Sequence, residues 1–236
     1  MANSSFVVGF DADDTLWHNE SIFEQTHQRF RECLAAYHDA ATVDRSLIAT
    51  ERRNLELYGY GIKGFTLSAI ETAIQLTEGR ISSEEIGRLL ELGRNMMAHP
   101  VHLMPHAEAI LSDLRQTHRL ILITKGDLLD QHRKLAKSNL AGHFQQVEVV
   151  SEKDEETYAK VLHRHGISAA HFLMVGNSLK SDIYPVVSLG GFGIHVPYRI
   201  TWELERVPPR ADGSDRIRTL PSLADLPATV RELTVR

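Results

Sequence analysis

A single cysteine, Cys33, is the whole thiol content of this 236-residue chain. No internal disulfide can staple it, and a reducing compartment is expected. Excess positive charge is missing too: 26 Lys and Arg stand against 31 Asp and Glu, a formal net charge of -5. Without a basic block the sequence carries no footprint for nucleic acid and no polybasic anchor for a membrane surface. No apolar run approaches the ~20 residues of a membrane span. The stretch MANSSFVVGF lacks the positive leader and long apolar segment of a signal peptide, so a cytoplasmic location is the expectation. There is no internal repeat and no HExxH among the 13 histidines. His99, His102 and His106 are interrupted by Pro100 and Pro105 and cannot share one regular helical face. Solvated histidines are the better account.

What is present is an ordinary globular composition, 42% hydrophobic and 24% charged, sufficient for a sizeable core. Phe6 to Phe10 is a short β-branched and aromatic run of the kind that forms a buried strand. From Trp17 to about His99 the pattern becomes helical. Ile22, Phe23, Phe30, Cys33, Leu34 and Tyr37 recur at three- and four-residue steps. Ser82 and Glu85 have capping-box spacing, and Phe65, Ile70, Ile74 and Leu76 outline a further helix. After Pro100 the rhythm alternates. Helices are expected over 107–117, 127–138, 154–165 and from Ser181, and strands over 119–124, 146–150, 171–175 and 193–196. The polar PYRITWELERVPPRADGSDR reads as a surface excursion, RIRTL as a last strand and SLADLPATVREL as a closing helix. Alternating strand and helix argue for an α/β fold with a parallel sheet and helices on both faces. The expected division is a core of residues 1–16 and 100–236 and a helical insertion of 17–99.

In such sheets ligands sit at the carboxyl ends of the strands. Polar groups cluster there: Asp11 follows VVGF, Thr124 ends LILIT, Lys153 follows VEVVSE, and GNSLKSD follows FLMV. A carboxylate at a strand end can act as a nucleophile that forms an acyl phosphate. Carboxylate and phosphate must then approach each other, which calls for a divalent cation and a lysine. Magnesium takes a few oxygen ligands and bridges to substrate phosphate. Asp11, Asp182 and the backbone carbonyl of Asp13 can supply such ligands. Lys153 can neutralise the nucleophile, Thr124 can hydrogen-bond a phosphoryl oxygen, and the Asp13 side chain can serve as general acid and base. Asp14 is read as solvated or as a helix-entry residue. Lys125 and Gly126, directly after Thr124, either donate backbone amides to phosphate or form a plain turn.

These residues resemble the haloacid dehalogenase-like hydrolases. Asp11-Ala12-Asp13-Asp14-Thr15 matches the family's first motif, Asp-x-Asp-x-Thr/Val; Thr124 is the second, Lys153 the third, and GNSLKSD ending at Asp182 the fourth. The resemblance implies a Rossmann-like core, Mg2+, and the helical insertion as a mobile cap. It makes Asp11 the nucleophile, Asp13 the acid/base and Thr124 and Lys153 the phosphate binders, with Thr15 bracing the loop. One departure is Asn177, where the family commonly has an acid; a neutral amide oxygen can still ligate magnesium or orient a metal-bound water. Asp182 is expected as a direct ligand, with Asn177 left open. Dehalogenases of the family lack the second aspartate, because a halide leaving group needs neither proton nor metal. Asp13 therefore favours a Mg-dependent phosphohydrolase of a small phosphorylated metabolite over a 2-haloacid dehalogenase or a catalytically silent metabolite-binding member. The substrate and the oligomeric state are not written in these motifs.

GYGIKG (59–64) formally matches G-x-G-x-x-G, but no βαβ unit surrounds it. It is expected as a loop between helices, from which Lys63 can touch substrate. Trp17 either packs a hinge or contacts substrate, and Cys33 is expected as a packed core thiol.

Overall fold

The computed structural model describes residues 6–210 and 215–234. Residues 1–5, 211–214 of the polar excursion and 235–236 lie outside the described residues. In chain order the elements are β1 (Val7–Phe10), α1 (Glu20–Leu34), α2 (Ala40–Tyr58), α3 (Ile62–Leu76), α4 (Ser83–Ala98), α5 (Ala107–Leu114), β2 (Arg119–Lys125), α6 (Leu128–Ser138), β3 (Gln146–Val150), α7 (Glu155–Arg164), β4 (Phe172–Gly176), α8 (Tyr184–Ser188), β5 (Phe192–His195), β6 (Ile217–Thr219) and α9 (Leu226–Thr234). Backbone contacts divide the chain into two units, one of residues 1–18, 101–125 and 131–236, the other of 19–100 and 126–130. Trp17 and His18 stay with the first unit because Trp17 bridges to Leu103 and the His18 amide donates to the His102 carbonyl at 3.0 Å.

The first unit is a Rossmann-like α/β fold. Its six strands run in the order β3-β2-β1-β4-β5-β6, and every pairing is parallel. Alternate strand residues face opposite sides. Val8, Phe10, Leu120, Leu122, Leu173 and Val175 pack with Ile110, Leu111 and Leu114 of α5 and Val230 and Leu233 of α9. Val7, Ile121, Ile123, Phe172 and Met174 pack on the other face with Tyr158, Val161 and Leu162 of α7. Both faces are covered, so the strands read as continuous apolar runs. The chain builds outward from β1 to β2 and β3, then returns to the other side of β1 with β4. The switch point, where such sheets open a crevice, therefore lies beyond the ends of β1 and β4.

The second unit is helical, around Phe30, Leu34, Val43, Leu47, Ile62, Phe65, Ala69, Leu89 and Met96. Cys33 packs against this cluster, partly buried. The capping box forms as spaced: the Glu85 amide donates to Ser82 Oγ at 3.2 Å and the Ser82 amide to Glu85 Oε2 at 2.8 Å. The GYGIKG loop is shorter than expected. Gly59 and Gly61, with φ of +66° and +106°, make the whole turn, and α3 begins at Ile62 because that side chain enters the core. Lys63 and Gly64 are thus helical, not loop residues.

Candidate active site

The site is built from the ends of β1, β2, β3 and β4. The Asp11 amide donates to the Val175 carbonyl at 2.9 Å, continuing the β1–β4 pairing one residue past the strand. Lys153, three residues beyond β3, is buried and donates from Nζ to Asp11 Oδ1 at 2.5 Å and to Asp182 Oδ1 at 2.7 Å. Asp182 sits on a π-helical turn, Leu179–Ile183, that leads into α8; such wide turns recur at functional sites. Its Oδ2 accepts from the Ser178 amide at 2.9 Å. Gly176 makes this return possible, since a Cβ there would lie 2.3 Å from the Asp182 carboxyl carbon. Thr15 donates from Oγ1 to Asp11 Oδ2 at 2.9 Å, bracing the β1 loop. Lys160, the other lysine near β3, is exposed and paired with Glu156. Thr124, at the end of β2, is buried, and its hydroxyl has no hydrogen-bond partner among the described residues.

One lysine between two buried carboxylates leaves a net negative charge. Burial raises the Asp11 carboxyl from 3.8 to about 7; Lys153 opposes the rise, and the carboxylates of Asp182 and Asp13 add to it. Burial alone would pull Lys153 down, but Asp11 and Asp182 outweigh it and hold the ammonium well above its ordinary value. Three oxygen- or nitrogen-bearing groups lie beside this pair. The Asn177 amide lies 3.2 Å from the Asp13 carbonyl and 3.3 Å from Asp11 Oδ2. With its nitrogen turned inward it donates to both; with its oxygen turned inward it faces the Thr15 hydroxyl at 3.3 Å and brings a third oxygen beside those two. This donor set is all oxygen and mostly uncharged, as magnesium accepts. It contains one carboxylate. Among the described residues no group of three or more His, Cys, Asp or Glu side chains is arranged to hold a metal. Asn177 lies within 3.3 Å of an Asp11 and an Asp13 oxygen, while the two Asp182 oxygens accept from Lys153 and from the Ser178 amide.

Other residues serve differently from their sequence reading. Asp14 is buried, not solvated, at 3% exposure. The chain reverses there with φ of +62°, its amide donating to the Trp17 carbonyl at 2.7 Å, and the reversal turns Asp14 inward. The Lys125 side chain is drawn to Glu205 (2.7 Å), Glu152 (3.1 Å) and Ser181 (3.1 Å). Gly126 follows with φ of +146°, and with residues 127–130 belongs to the second unit. Within that unit Lys63 pairs with Asp127 at 2.8 Å.

The family model for haloacid dehalogenase-like hydrolases matches residues 7–185. This chain belongs to that family. A haloacid dehalogenase-like family hydrolase from Xanthomonas campestris is 42% identical, with a TM-score of 0.89 over 98% of this chain and 93% of its own. The N-acylneuraminate-9-phosphatases of Rattus norvegicus and Homo sapiens are each 25% identical over 195 residues, 78% of this chain and 79% of theirs. The L-2-haloacid dehalogenase of Xanthobacter autotrophicus shares the fold, with a TM-score of 0.64 over 96% of this chain and 98% of its own at 18% identity.

Four residues of this hydrolase's site escaped the motif reading. Asp13 accepts from Trp17 Nε1, Gln131 Nε2 and Lys134 Nζ. Glu205, from the polar excursion, accepts from Lys125, Ser178 and Ser181. Burial resists its ionisation, but those donors hold the carboxyl below its ordinary value. A signal existed for two of them. Gln131 and Lys134 are three apart on the helix that follows Thr124, so they share a face. Nothing local marks Glu205.

Proposed function

We propose that this hydrolase is a Mg-dependent phosphatase of a small phosphorylated metabolite that works through a phosphorylated Asp11. The observation that carries the reading is the convergence of Asp11 Oδ2, the Asp13 carbonyl and the Asn177 amide within 3.3 Å, beside a second aspartate that halide displacement does not need. The buried, unpartnered Thr124 hydroxyl supports it as a phosphoryl-oxygen donor. The similarity to N-acylneuraminate-9-phosphatases points the same way.

Asp11, the Asp13 carbonyl and Asn177 would hold the Mg2+. When bound, the ion supplies positive charge that screens the two anions from each other and orients the phosphoryl group. Asp11 Oδ1 faces Lys153 and Oδ2 faces Thr15 and Asn177; an Asp11 oxygen attacks phosphorus. Lys153 neutralises charge on the nucleophile and the phosphoryl oxygens, with Asp182 fixing the ammonium. Thr124 donates to a phosphoryl oxygen, and Lys125 and Gly126 are proposed to add backbone amides. Asp13 protonates the leaving oxygen and then deprotonates the water that hydrolyses the acyl phosphate. The helical unit, inserted in the chain between Asp11 and Thr124, is proposed as a cap that selects substrate, with Lys63 among its contacts.

The test is phosphate release from a panel of phosphate monoesters, N-acylneuraminate 9-phosphate included, with Mg2+ and with EDTA, beside halide release from 2-haloacids. Mg-dependent phosphate release without halide release is expected. Halide release alone would select the dehalogenase reading, and inertness toward both panels the silent one.

A further inference from the structure

The Asp13 carboxylate is held more completely than proton transfer alone explains. Its Oδ1 accepts from Trp17 Nε1 at 2.6 Å and from Lys134 Nζ at 2.7 Å. Its Oδ2 accepts from the same ammonium at 2.7 Å and from Gln131 Nε2 at 2.8 Å. A carboxylate offers about four lone-pair sites, so every one is taken. A group that exchanges a proton with substrate must open one oxygen while the carboxylate stays in place.

The two oxygens differ in how easily they open. Trp17, on Oδ1, is 1% exposed and locked in the core of the first unit. Gln131, on Oδ2, has a second acceptor for the same nitrogen, the Lys125 carbonyl at 3.0 Å. Its bond to Oδ2 can therefore open with the nitrogen still held by that carbonyl, freeing one of two amide N–H groups, whereas Trp17 would lose the single N–H bond its indole can make. Lys134 lies equally close to both oxygens and can settle on Oδ1 alone.

We propose that Asp13 Oδ2 is the oxygen that carries the proton, and that Lys134, with Trp17, is a positioning residue that anchors the carboxylate through Oδ1. The inference rests on the phosphatase reading. In the first step the ester P–O bond breaks, its electron pair goes to the leaving oxygen, and that oxygen takes the proton from Oδ2 as phosphorus bonds to Asp11. In the second step Oδ2 takes a proton from the water whose oxygen attacks phosphorus. The bond from phosphorus to Asp11 then breaks and its electron pair restores the Asp11 carboxylate.

The test compares kcat/KM on an alkyl phosphate, whose leaving oxygen needs a proton, with p-nitrophenyl phosphate, whose leaving group hardly does. Lys134→Met is expected to lower kcat/KM by about tenfold or more on the alkyl ester and less than about threefold on the aryl ester. Lys134→Arg should recover part of the loss. Asp13→Asn should show the same selectivity more strongly. If Lys134→Met fails to fold, Lys134→Gln is read in the same way. Equal losses on the two esters, or none, beside a selective loss in Asp13→Asn would overturn the anchoring role. An unselective Asp13→Asn would instead overturn the acid/base role beneath it.

Discussion

Replacing the proposed nucleophile should make the metal-free protein more stable. Burial raises the Asp11 carboxyl from 3.8 to about 7, a difference of about 3 units, and each unit is worth about 1.4 kcal/mol. Above pH 7 the folded protein thus carries an ionised group whose charge costs up to about 4 kcal/mol more than it does in the unfolded chain. Between about pH 4 and 7 the folded chain keeps a proton that the unfolded chain releases. Stability therefore falls as pH rises through that window and levels off above it. Asparagine is neutral and the same shape. The Thr15 hydroxyl can turn to accept from it, and the Asn177 amide can present either end. Lys153 loses one of two anionic partners but keeps Asp182, which returns part of the gain. A net stabilisation of about 2 kcal/mol at pH 8 raises Tm by about 4–8 °C in a chain of this size. Calorimetry in EDTA from pH 5 to 8.5 would show the Asp11→Asn advantage growing with pH. Mg2+ should raise the Tm of the wild type more than that of the variant. A variant that melts below wild type at pH 8 in EDTA, or by the same margin at pH 5 as at pH 8, would refute the reasoning.

Four further outcomes are expected. Thr124→Val removes a buried hydroxyl with no partner, so Tm should hold or rise while inorganic phosphate inhibits less well; a stability loss above about 1 kcal/mol would show that the hydroxyl has a structural bond. Asn177→Asp adds a second acid beside Asp11 and should lower the Mg2+ concentration for half-activation while lowering Tm in EDTA; unchanged metal dependence would remove residue 177 from the site. Glu205→Gln should cost about 2–4 kcal/mol by leaving a largely buried Lys125 under-compensated; because Glu205 is held below its ordinary value, its contribution is present above about pH 4.5 and fades as pH falls, so the variant should have a flatter acid limb. His27 is held below its ordinary 6.5 by burial, with Nε2 unpartnered; its protonation destabilises the helical unit as pH drops below about 6.5, and His27→Leu should flatten that part of the stability profile.

Much of this molecule is legible in its sequence because buried parallel strands need continuous apolar runs and end where polar chemistry begins. VVGF, LILI, VEVV and FLMV located the sheet, and the residues just after them, Asp11, Thr124, Lys153 and Asp182, are the ones the strand ends present. Local rules also located the Ser82 cap. What escaped depends on the chain meeting itself. Asp14 looked like a third surface acid because nothing in DADDT says that the backbone reverses at positive φ. Glu205 lies in a polar, proline-containing stretch that looks like any surface loop, and only the fold returns it to Ser178 and Ser181. Asn177 differs from the usual acid, and only the fold shows that its amide lies within 3.3 Å of an Asp11 and an Asp13 oxygen. Trp17 packs in the core, one of its two expected roles, and only the fold shows that its indole N–H also goes to Asp13.

The most direct test of phosphoryl transfer to Asp11 is to catch the acyl phosphate. The protein is mixed with a phosphate monoester it turns over in Mg2+, quenched within the first turnover, reduced with borohydride and mapped by peptide mass spectrometry. Borohydride converts an aspartyl phosphate to homoserine, so the expected result is homoserine at position 11, dependent on both ester and Mg2+. Phosphate release with residue 11 unmodified under those conditions would contradict it.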